Sequence, residues 1–246
     1  MAELVRRQDR DGVAVLSLNR PEVLNALDPP LFVELRGHVD DLAGDESVGV
    51  VVLRGEGRSF CAGNDLRSIQ RGETPPSRHF QAETIDAIEA LPQPVVGAVR
   101  GHCFTGGLEL VLACDLIVAG EGARFADTHG RWGMTPTWGM TQRLPRRVGP
   151  YAARDLMFTG RELSGAEAMA MGLADRCVPD DEVDSAAVGL AAQMAQNSWW
   201  TLRGEKALLA ATRDLPPSEG LVYEREHSPG RGPDMEERLA AFGRKD

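Results

Sequence analysis

The segment that carries most information about this chain is His102-Cys-Phe-Thr-Gly-Gly-Leu-Glu-Leu-Val111. Its two adjacent glycines, Gly106 and Gly107, stand where a helix is predicted to begin. The first N–H groups of a helix have no intrahelical acceptor, and a glycine has no Cβ atom to keep a ligand away from them. Glu109 adds a carboxylate one turn inside the same helix. The segment therefore predicts an anion site with its own acid or base.

A second candidate donor lies earlier, in the segment Ser59-Phe-Cys-Ala-Gly-Asn-Asp-Leu66. It follows the apolar run at residues 50–53, which is typical of a strand that leaves the core and enters a glycine-containing turn near Asn64. Two separate turns can then direct backbone N–H groups at one oxygen atom.

Strand and helix patterns alternate around these two segments. Short runs rich in β-branched residues predict strands, apolar residues at helical spacing predict helices, and their alternation indicates a layered α/β core. The predicted strands are 13–18, 48–53, 94–99 and 115–119, and the predicted helices are 31–42, 78–91 and 106–113.

The character of the chain changes after residue 150, where helix signals predominate. Ser164 and Glu167 form a capping-box pattern before a helix that stops at Gly172. Further helices are predicted at 182–196, 199–211 and 234–242. We therefore divide the chain into an α/β core at 1–195 and a C-terminal helical region at 196–246. The polar stretch at 71–77 predicts a mobile loop.

Composition limits the classes of function. The chain has 246 residues and a formal net charge of -10, which disfavours nucleic acids and anionic membranes as partners. No apolar run approaches the ~20 residues that cross a bilayer, and the N-terminal residues lack a signal-peptide pattern, so we expect a cytoplasmic protein. The four cysteines show no metal or redox spacing. They are Cys61, Cys103, Cys114 and Cys177.

Five short motifs occur in the same order as in a known family and cover nearly the whole chain. They are Asn19-Arg-Pro-Glu-Val-Leu-Asn-Ala-Leu27, Phe60-Cys-Ala-Gly-Asn-Asp-Leu66, Gly106-Gly-Leu-Glu109, Gly139-Met-Thr-Gln-Arg-Leu-Pro145 and the segment from Asp234 to Phe242. In this pattern the chain resembles the enoyl-CoA hydratase/isomerase (crotonase) superfamily. The resemblance implies a crotonase-like α/β fold: a β-β-α superhelix core with a C-terminal helical region.

The resemblance also implies a site for an acyl thioester. In this family two backbone N–H groups hold the thioester oxygen while an enolate forms, and here those groups belong to Asn64 and Gly106. The implied contacts to substrate and coenzyme A are Val23, Leu24, Ala26, Ala62, Asn64, Asp65, Leu66, Gly106 and Trp132.

Glu109 and His129 are the candidate catalytic side chains. Glu109 matches the first catalytic glutamate of hydratases and is expected to deprotonate the attacking water, although an acidic residue in a first helical turn also stabilises the helix dipole. The second family glutamate falls at His129, in Phe125-Ala-Asp-Thr-His129. A histidine can give or accept a proton near neutral pH. This departure weakens an isomerase interpretation most, and a structural role for His129 stays open.

Several neighbouring residues have both a functional and a structural interpretation. Asp65 is expected to shape its loop, and Asp127 is a candidate to orient His129. Trp132 and Trp138 fall in the segment that lines the acyl pocket of relatives, although tryptophan most often packs in a core. Phe80 and the loop before it are candidates to close over the acyl group. The candidate partners of the coenzyme A phosphates are Lys206, Arg238 and Lys245.

The predicted function is an enoyl-CoA hydratase, a lyase of fatty-acid or related acyl-CoA metabolism such as β-oxidation. It needs no cofactor, because coenzyme A is part of the substrate, and no metal. The alternatives are isomerisation, decarboxylation or thioester hydrolysis, or binding of a CoA thioester with little catalysis. A nucleotide-binding Rossmann site has little support, since no Gly-x-Gly-x-x-Gly follows a strand. The resemblance also implies a homotrimer or a dimer of trimers, in which the C-terminal region at 196–246 faces other subunits.

Overall fold

The computed structural model describes residues 3–242, which form two β-sheets surrounded by α-helices. The strands are β1 (Val5–Arg10), β2 (Val13–Leu18), β3 (Val50–Gly55), β4 (Val95–Val99), β5 (His102–Phe104), β6 (Leu116–Gly120), β7 (Arg124–Ala126), β8 (Leu163–Ser164) and β9 (Arg176–Val178). The α-helices are α1 (Pro29–Ala43), α2 (Leu66–Arg71), α3 (Phe80–Glu89), α4 (Gly106–Val111), α5 (Met140–Val148), α6 (Pro150–Thr159), α7 (Gly165–Met171), α8 (Val183–Ala195), α9 (Trp199–Thr212), α10 (Pro217–His227) and α11 (Met235–Phe242).

The larger sheet has six strands in the order β1-β2-β3-β4-β6-β9. Only β1 and β2 pair in antiparallel fashion, and the other neighbours are parallel. Every residue of β4 is buried, because helices cover both faces of a parallel sheet. The predicted strands at 13–18, 48–53, 94–99 and 115–119 correspond to β2, β3, β4 and β6, each within two residues at either end.

The smaller sheet, β5-β7-β8, gives the core its spiral form. A strand of the large sheet is followed by a short strand of the small sheet and then by a helix, as in β4-β5-α4. An isolated bridge between Cys61 and Cys103 continues this small sheet into the preceding turn of the spiral. The arrangement is the β-β-α superhelix that the motifs implied, and it brings the start of α4 next to the Cys61 segment.

Helix ends follow their capping residues. Asp28 accepts a hydrogen bond from the N–H of Leu31, so α1 begins at Pro29, two residues before the predicted start. The capping box of Ser164 and Glu167 is present, and α7 ends at Gly172 in the left-handed conformation. The helices α2, α5, α6 and α10 were not predicted.

The C-terminal half is mainly helical, as predicted, and between residues 150 and 242 its only strands are β8 and β9. The boundary proposed between residues 195 and 196 falls between α8, which packs on the large sheet, and α9. Trp199, at the start of α9, packs closely against Gly12 and Gly49. The division into core and C-terminal region stays a prediction. Within residues 3–242, no helix is long and apolar enough to cross a membrane.

Candidate active site

Asn64 and Gly106, the two residues expected to donate backbone N–H groups, line the same cavity. The amide nitrogen of Asn64 lies 3.4 Å from the position that a Cβ atom would take on Gly106. Neither Asn64 nor Gly106 donates its N–H to an acceptor among the described residues. A Cβ atom on Gly106 would also lie 2.5 Å from Cζ3 of Trp138. Glycine at this position therefore lets the first donor loop (residues 61–64), the second donor loop (residues 104–106) and the tryptophan ring converge around one small space.

A strained residue sets the direction of the second donor. Thr105 precedes Gly106 and has φ 50° and ψ -108°, a combination that non-glycine residues rarely adopt. Its N–H donates to the carbonyl of Ala126 at 2.8 Å, and its hydroxyl is hydrogen-bonded to the hydroxyl of Thr128. The N–H of Thr128 donates to the same Thr105 oxygen at 3.2 Å. These bonds fix the second donor loop to Thr128, the residue that precedes His129.

Glu109 is buried and only 1% exposed. Its Oε1 atom accepts hydrogen bonds from the N–H groups of Trp138, at 2.9 Å, and Met140, at 3.1 Å. Met140 is the first residue of α5, so the carboxylate occupies the positive end of that helix. Burial raises the pKa of the Glu109 carboxyl above its ordinary value of 4.5, although the Met140 N–H, His129 and the Trp138 N–H act in the opposite direction. The Oε2 atom remains free for chemistry.

His129 faces that free oxygen atom. Its Nε2 lies 3.6 Å from Oε2 of Glu109, and its Nδ1 lies 2.6 Å from Oδ1 of Asp127. The same Asp127 oxygen accepts the backbone N–H of His129 at 3.0 Å. A carboxylate can only accept, so the Nδ1 atom carries the proton of this bond. Asp127 therefore directs Nε2 toward Glu109, as the sequence suggested.

The two donors and the two catalytic candidates line one cavity of about 280 Å³. Its walls combine the donor loops, the 75–81 segment before and at the start of α3, and the 134–138 segment before α5. The lining residues are Asn64, Pro75, Arg78, Gln81, Thr105, Gly106, Glu109, His129, Met134, Thr135, Thr137 and Trp138.

The predicted coenzyme A loop lies beside this cavity without lining it. Val23 ends a short 3-10 helix, and Leu24, which follows with φ 55°, accepts the N–H of Ala62 at its carbonyl, at 2.9 Å. Val23, Leu24, Ala26 and Ala62 are all half-buried. The structure thus joins the 23–26 loop to the first donor loop.

Asp65 and Leu66 have structural positions. Asp65 caps α2, which begins at Leu66, and accepts the N–H groups of Arg67 and Ser68. Arg20 binds Asp65 at 3.0 Å and Asp28 at 2.9 Å. Burial works against ionisation, but the N–H groups and Arg20 hold the pKa of Asp65 below its usual range. This ion pair, which the sequence analysis missed, ties the 20–28 segment to the donor loop.

The structure does not bring Trp132 to the cavity. Trp132 ends a 3-10 helix that runs from His129, and it is 56% exposed. The turn at Gly133 carries the chain away from this position, and Trp138 reaches the cavity instead. The ring of Trp138 also contacts Phe32 edge to face, with centroids 5.1 Å apart. The tryptophan expected beside the acyl group is therefore Trp138, and the choice of Trp132 is corrected.

The candidate phosphate partners have other contacts. Lys206 lies 2.7 Å from Asp115, and Arg238 pairs with Asp234 at 2.5 Å. Neither residue lines the cavity. Lys245 lies outside the described residues.

The cysteines are free, and three of them are buried. Burial raises the pKa of Cys61 to about 12 and that of Cys103 well above its ordinary value. Such thiols are poor nucleophiles. Across residues 3–242, no three or more His, Cys, Asp and Glu side chains are grouped so that they could hold a metal ion.

The chain is similar to known proteins over most of its length. Residues 8–227 match the family model described as enoyl-CoA hydratase/isomerase. The chain is 34% identical to a probable enoyl-CoA hydratase of Mycobacterium tuberculosis over 244 residues, which are 97% of this chain and 93% of that protein. It is 33% identical to a probable peroxisomal enoyl-CoA hydratase of Arabidopsis thaliana, over 90% and 84% of the two chains. The crystal structure of an enoyl-CoA hydratase from Bacillus anthracis superposes with a TM-score of 0.92 at 32% identity, covering 99% and 97%.

Proposed function

Because the chain belongs to the enoyl-CoA hydratase/isomerase family, we propose that it adds water across the double bond of a 2-trans-enoyl-CoA thioester. One observation carries the proposal: two free N–H groups and the facing pair of Glu109 and His129 line the same cavity. The reaction has no redox step and uses coenzyme A only as part of the substrate, so no further cofactor enters the proposal.

The two N–H groups stabilise the charge that develops on the thioester oxygen. As water attacks the β carbon, the electrons of the double bond move toward that oxygen and form an enolate. The N–H groups of Asn64 and Gly106 are held in place before the reaction, so they need no reorganisation when the charge appears. Loss of one such donor costs ~3 kcal/mol in other enzymes.

Glu109 serves as the base. Its Oε2 takes one proton from water while the water oxygen bonds to the β carbon, and its Oε1 stays fixed by Trp138 and Met140. Burial raises the pKa of this carboxyl, which strengthens it as a base compared with an exposed glutamate.

His129 completes the proton balance. The enolate needs one proton at its α carbon. Because the proton of the resting imidazole is on Nδ1, Nε2 of His129 first accepts the proton that Glu109 took from water, across the 3.6 Å between Oε2 and Nε2. Nε2 then delivers a proton to the α carbon, which returns Glu109 and His129 to their starting states. One water molecule is consumed, and a 3-hydroxyacyl-CoA is released.

The test is hydration of crotonyl-CoA and of a longer trans-2-enoyl-CoA, followed as loss of the conjugated absorbance. We expect Glu109→Gln to lower kcat by about 10²–10⁴-fold, the range for a positioned acid or base, and His129→Ala to lower it as well. Glu83→Gln, an exposed change on α3, is the matched control. Full turnover by Glu109→Gln would refute its role as base. Release of free coenzyme A thiol without hydration would instead indicate thioester hydrolysis.

We also propose a homotrimer or a dimer of trimers. The helices α9, α10 and α11 leave large apolar side chains exposed, among them Leu209 at 72%, Leu239 at 61% and Phe242 at 81%. Apolar surface of this kind is typical of subunit contacts. Light scattering at micromolar concentration measures the mass, and a monomer would contradict the proposal.

A cytoplasmic location is supported by the free cysteines, since disulfides are rare in reducing compartments. Cell fractionation with an antibody against the chain would test it, and recovery in an organelle or in the medium would contradict it.

A further inference from the structure

Apart from the Trp138 ring, the cavity residues outside the two donor loops and the catalytic pair are mainly polar. We call this group the acyl wall and define it as Pro75, Arg78, Gln81, Met134, Thr135 and Thr137. Four of these six side chains are polar or charged. A cavity for a plain hydrocarbon chain is normally lined mainly by apolar groups.

Arg78 is the charged member of the acyl wall. Among the described residues it has no carboxylate within ion-pair distance and makes no hydrogen bond, and its side chain is exposed at the cavity. Arg143 shows the contrast: it lies near the same helix and binds Asp86 at 2.6 Å and Glu89 at 2.7 Å. The guanidinium of Arg78 is therefore available to a ligand.

The other polar side chains of the acyl wall are also uncommitted. Gln81, Thr135 and Thr137 make no side-chain hydrogen bond within residues 3–242. A hydrocarbon chain placed against them would displace their water without replacing its hydrogen bonds, which is unfavourable. A polar group at the end of the acyl chain would replace those bonds.

We propose that the enzyme prefers short acyl groups that end in a carboxylate, with Arg78 binding that carboxylate. A guanidinium matches a carboxylate in charge and in the spacing of its donors. The cavity of about 280 Å³ limits the length of the acyl group. This inference rests on the proposed function, because that function places an acyl-CoA in the cavity.

The position of Arg78 separates it from the coenzyme A side. The predicted coenzyme A loop meets the first donor loop through Leu24 and Ala62, and neither residue lines the cavity. Arg78 lies in the cavity with Glu109 and His129, where the acyl carbons react. Its ligand is therefore on the acyl part of the substrate.

The experiment compares the Kd of saturated, unreactive esters by titration calorimetry. The pairs are butyryl-CoA with succinyl-CoA, pentanoyl-CoA with glutaryl-CoA, and hexanoyl-CoA with adipyl-CoA. We expect at least one carboxylated ester to bind about tenfold more tightly than its partner, as a charge-assisted contact allows. In the Arg78→Met variant, the two Kd values of that pair should differ by no more than about twofold. Arg176→Met, an exposed change on β9 outside the cavity, should leave the ratio unchanged.

Equal affinity within all three pairs would overturn the inference. The inference would also be overturned if Arg78→Met weakened the binding of the carboxylated and the plain ester of a pair by the same factor. That result would mean that Arg78 contacts coenzyme A, which both esters share. Crotonyl-CoA hydration separates this failure from failure of the proposed function. Hydration of crotonyl-CoA without a carboxylate preference rejects the inference alone. A carboxylate preference rejects the hydratase assignment alone if neither crotonyl-CoA nor the trans-2-enoyl form of the preferred carboxylated ester is hydrated. Failure of all six esters to bind would reject both.

Discussion

Oε2 of Glu109 lies 3.6 Å from Nε2 of His129, and each of these two side chains is held from its far side. Trp138 and Met140 fix Oε1 of Glu109, while Asp127 fixes Nδ1 of His129. The two reactive atoms therefore face each other and the cavity with little freedom to turn away. We propose that His129 acts as a proton-transfer group at the position where hydratases of this family have their second glutamate.

Glu109→Gln should stabilise the fold at about pH 7. The folded-state pKa of Glu109 is raised above 4.5, so the unfolded chain ionises first, and stability falls as pH rises from 4.5 through the raised value. A neutral glutamine does not carry this cost, and we expect a gain of about 1 kcal/mol in the free energy of unfolding. Urea unfolding measures the difference between the variant and the parent. The gain should disappear at about pH 4, and Glu83→Gln should give no gain at either pH.

The pH profile of kcat/KM should report the same carboxyl group. Glu109 must be ionised to accept a proton, so activity should fall as pH drops through its raised pKa. We expect the midpoint of this acid limb to lie above 4.5, the ordinary glutamate value. Hydration rates measured across the acid range give the midpoint. A midpoint at or below the ordinary value would show that another group, or an unperturbed Glu109, controls the limb.

Gly106→Ala should damage catalysis more than folding. The new Cβ would lie 2.5 Å from the Trp138 ring and 3.4 Å from the Asn64 nitrogen, so the ring and the donor loop must shift. Loss of a donor alignment predicts a fall in kcat of about 10²–10³-fold. The matched control is Gly189→Ala on α8, where the added Cβ meets no atom within 4 Å. The control should keep full activity, and equal activity of both variants would reject the role of Gly106.

Asp127→Asn should lower kcat by about 10–100-fold, as changes of residues that orient a catalytic group often do. The amide is similar in shape but lacks the charge that holds the Nδ1 proton of His129. Nitrogen-15 NMR of the imidazole ring tests the mechanism directly, because it distinguishes Nδ1–H from Nε2–H. We expect the parent to show Nδ1–H and the variant a mixture. A fall in kcat with an unchanged ring spectrum would argue against positioning.

Gly49→Ala should loosen the attachment of α9. The added Cβ would lie 2.4 Å from the Trp199 ring, and we expect a loss of about 1–3 kcal/mol in the free energy of unfolding, typical of overpacking. In a Trp199→Ala background the same change should cost almost nothing. A double-mutant cycle by urea unfolding gives this coupling, and additive effects would contradict the contact.

Local sequence patterns determined much of the architecture. The β-branched runs predicted β2, β3, β4 and β6, because buried parallel strands need continuous apolar residues. The adjacent glycines and Glu109 predicted the helix start and its carboxylate, since their spacing is a property of one short segment. In contrast, β5, β7 and β8 contain only two or three residues each, too few to show a periodic pattern.

Only the tertiary structure decided how the site is assembled. The donors to Glu109 are the backbone N–H groups of Trp138 and Met140. Every residue type except proline has such a group, so the sequence does not show which ones will donate to Glu109. The turn at Gly133 decided that Trp138, rather than Trp132, reaches the cavity. These contacts join segments about thirty residues apart, so they depend on how the β-β-α spiral brings the segments together, which no local spacing encodes.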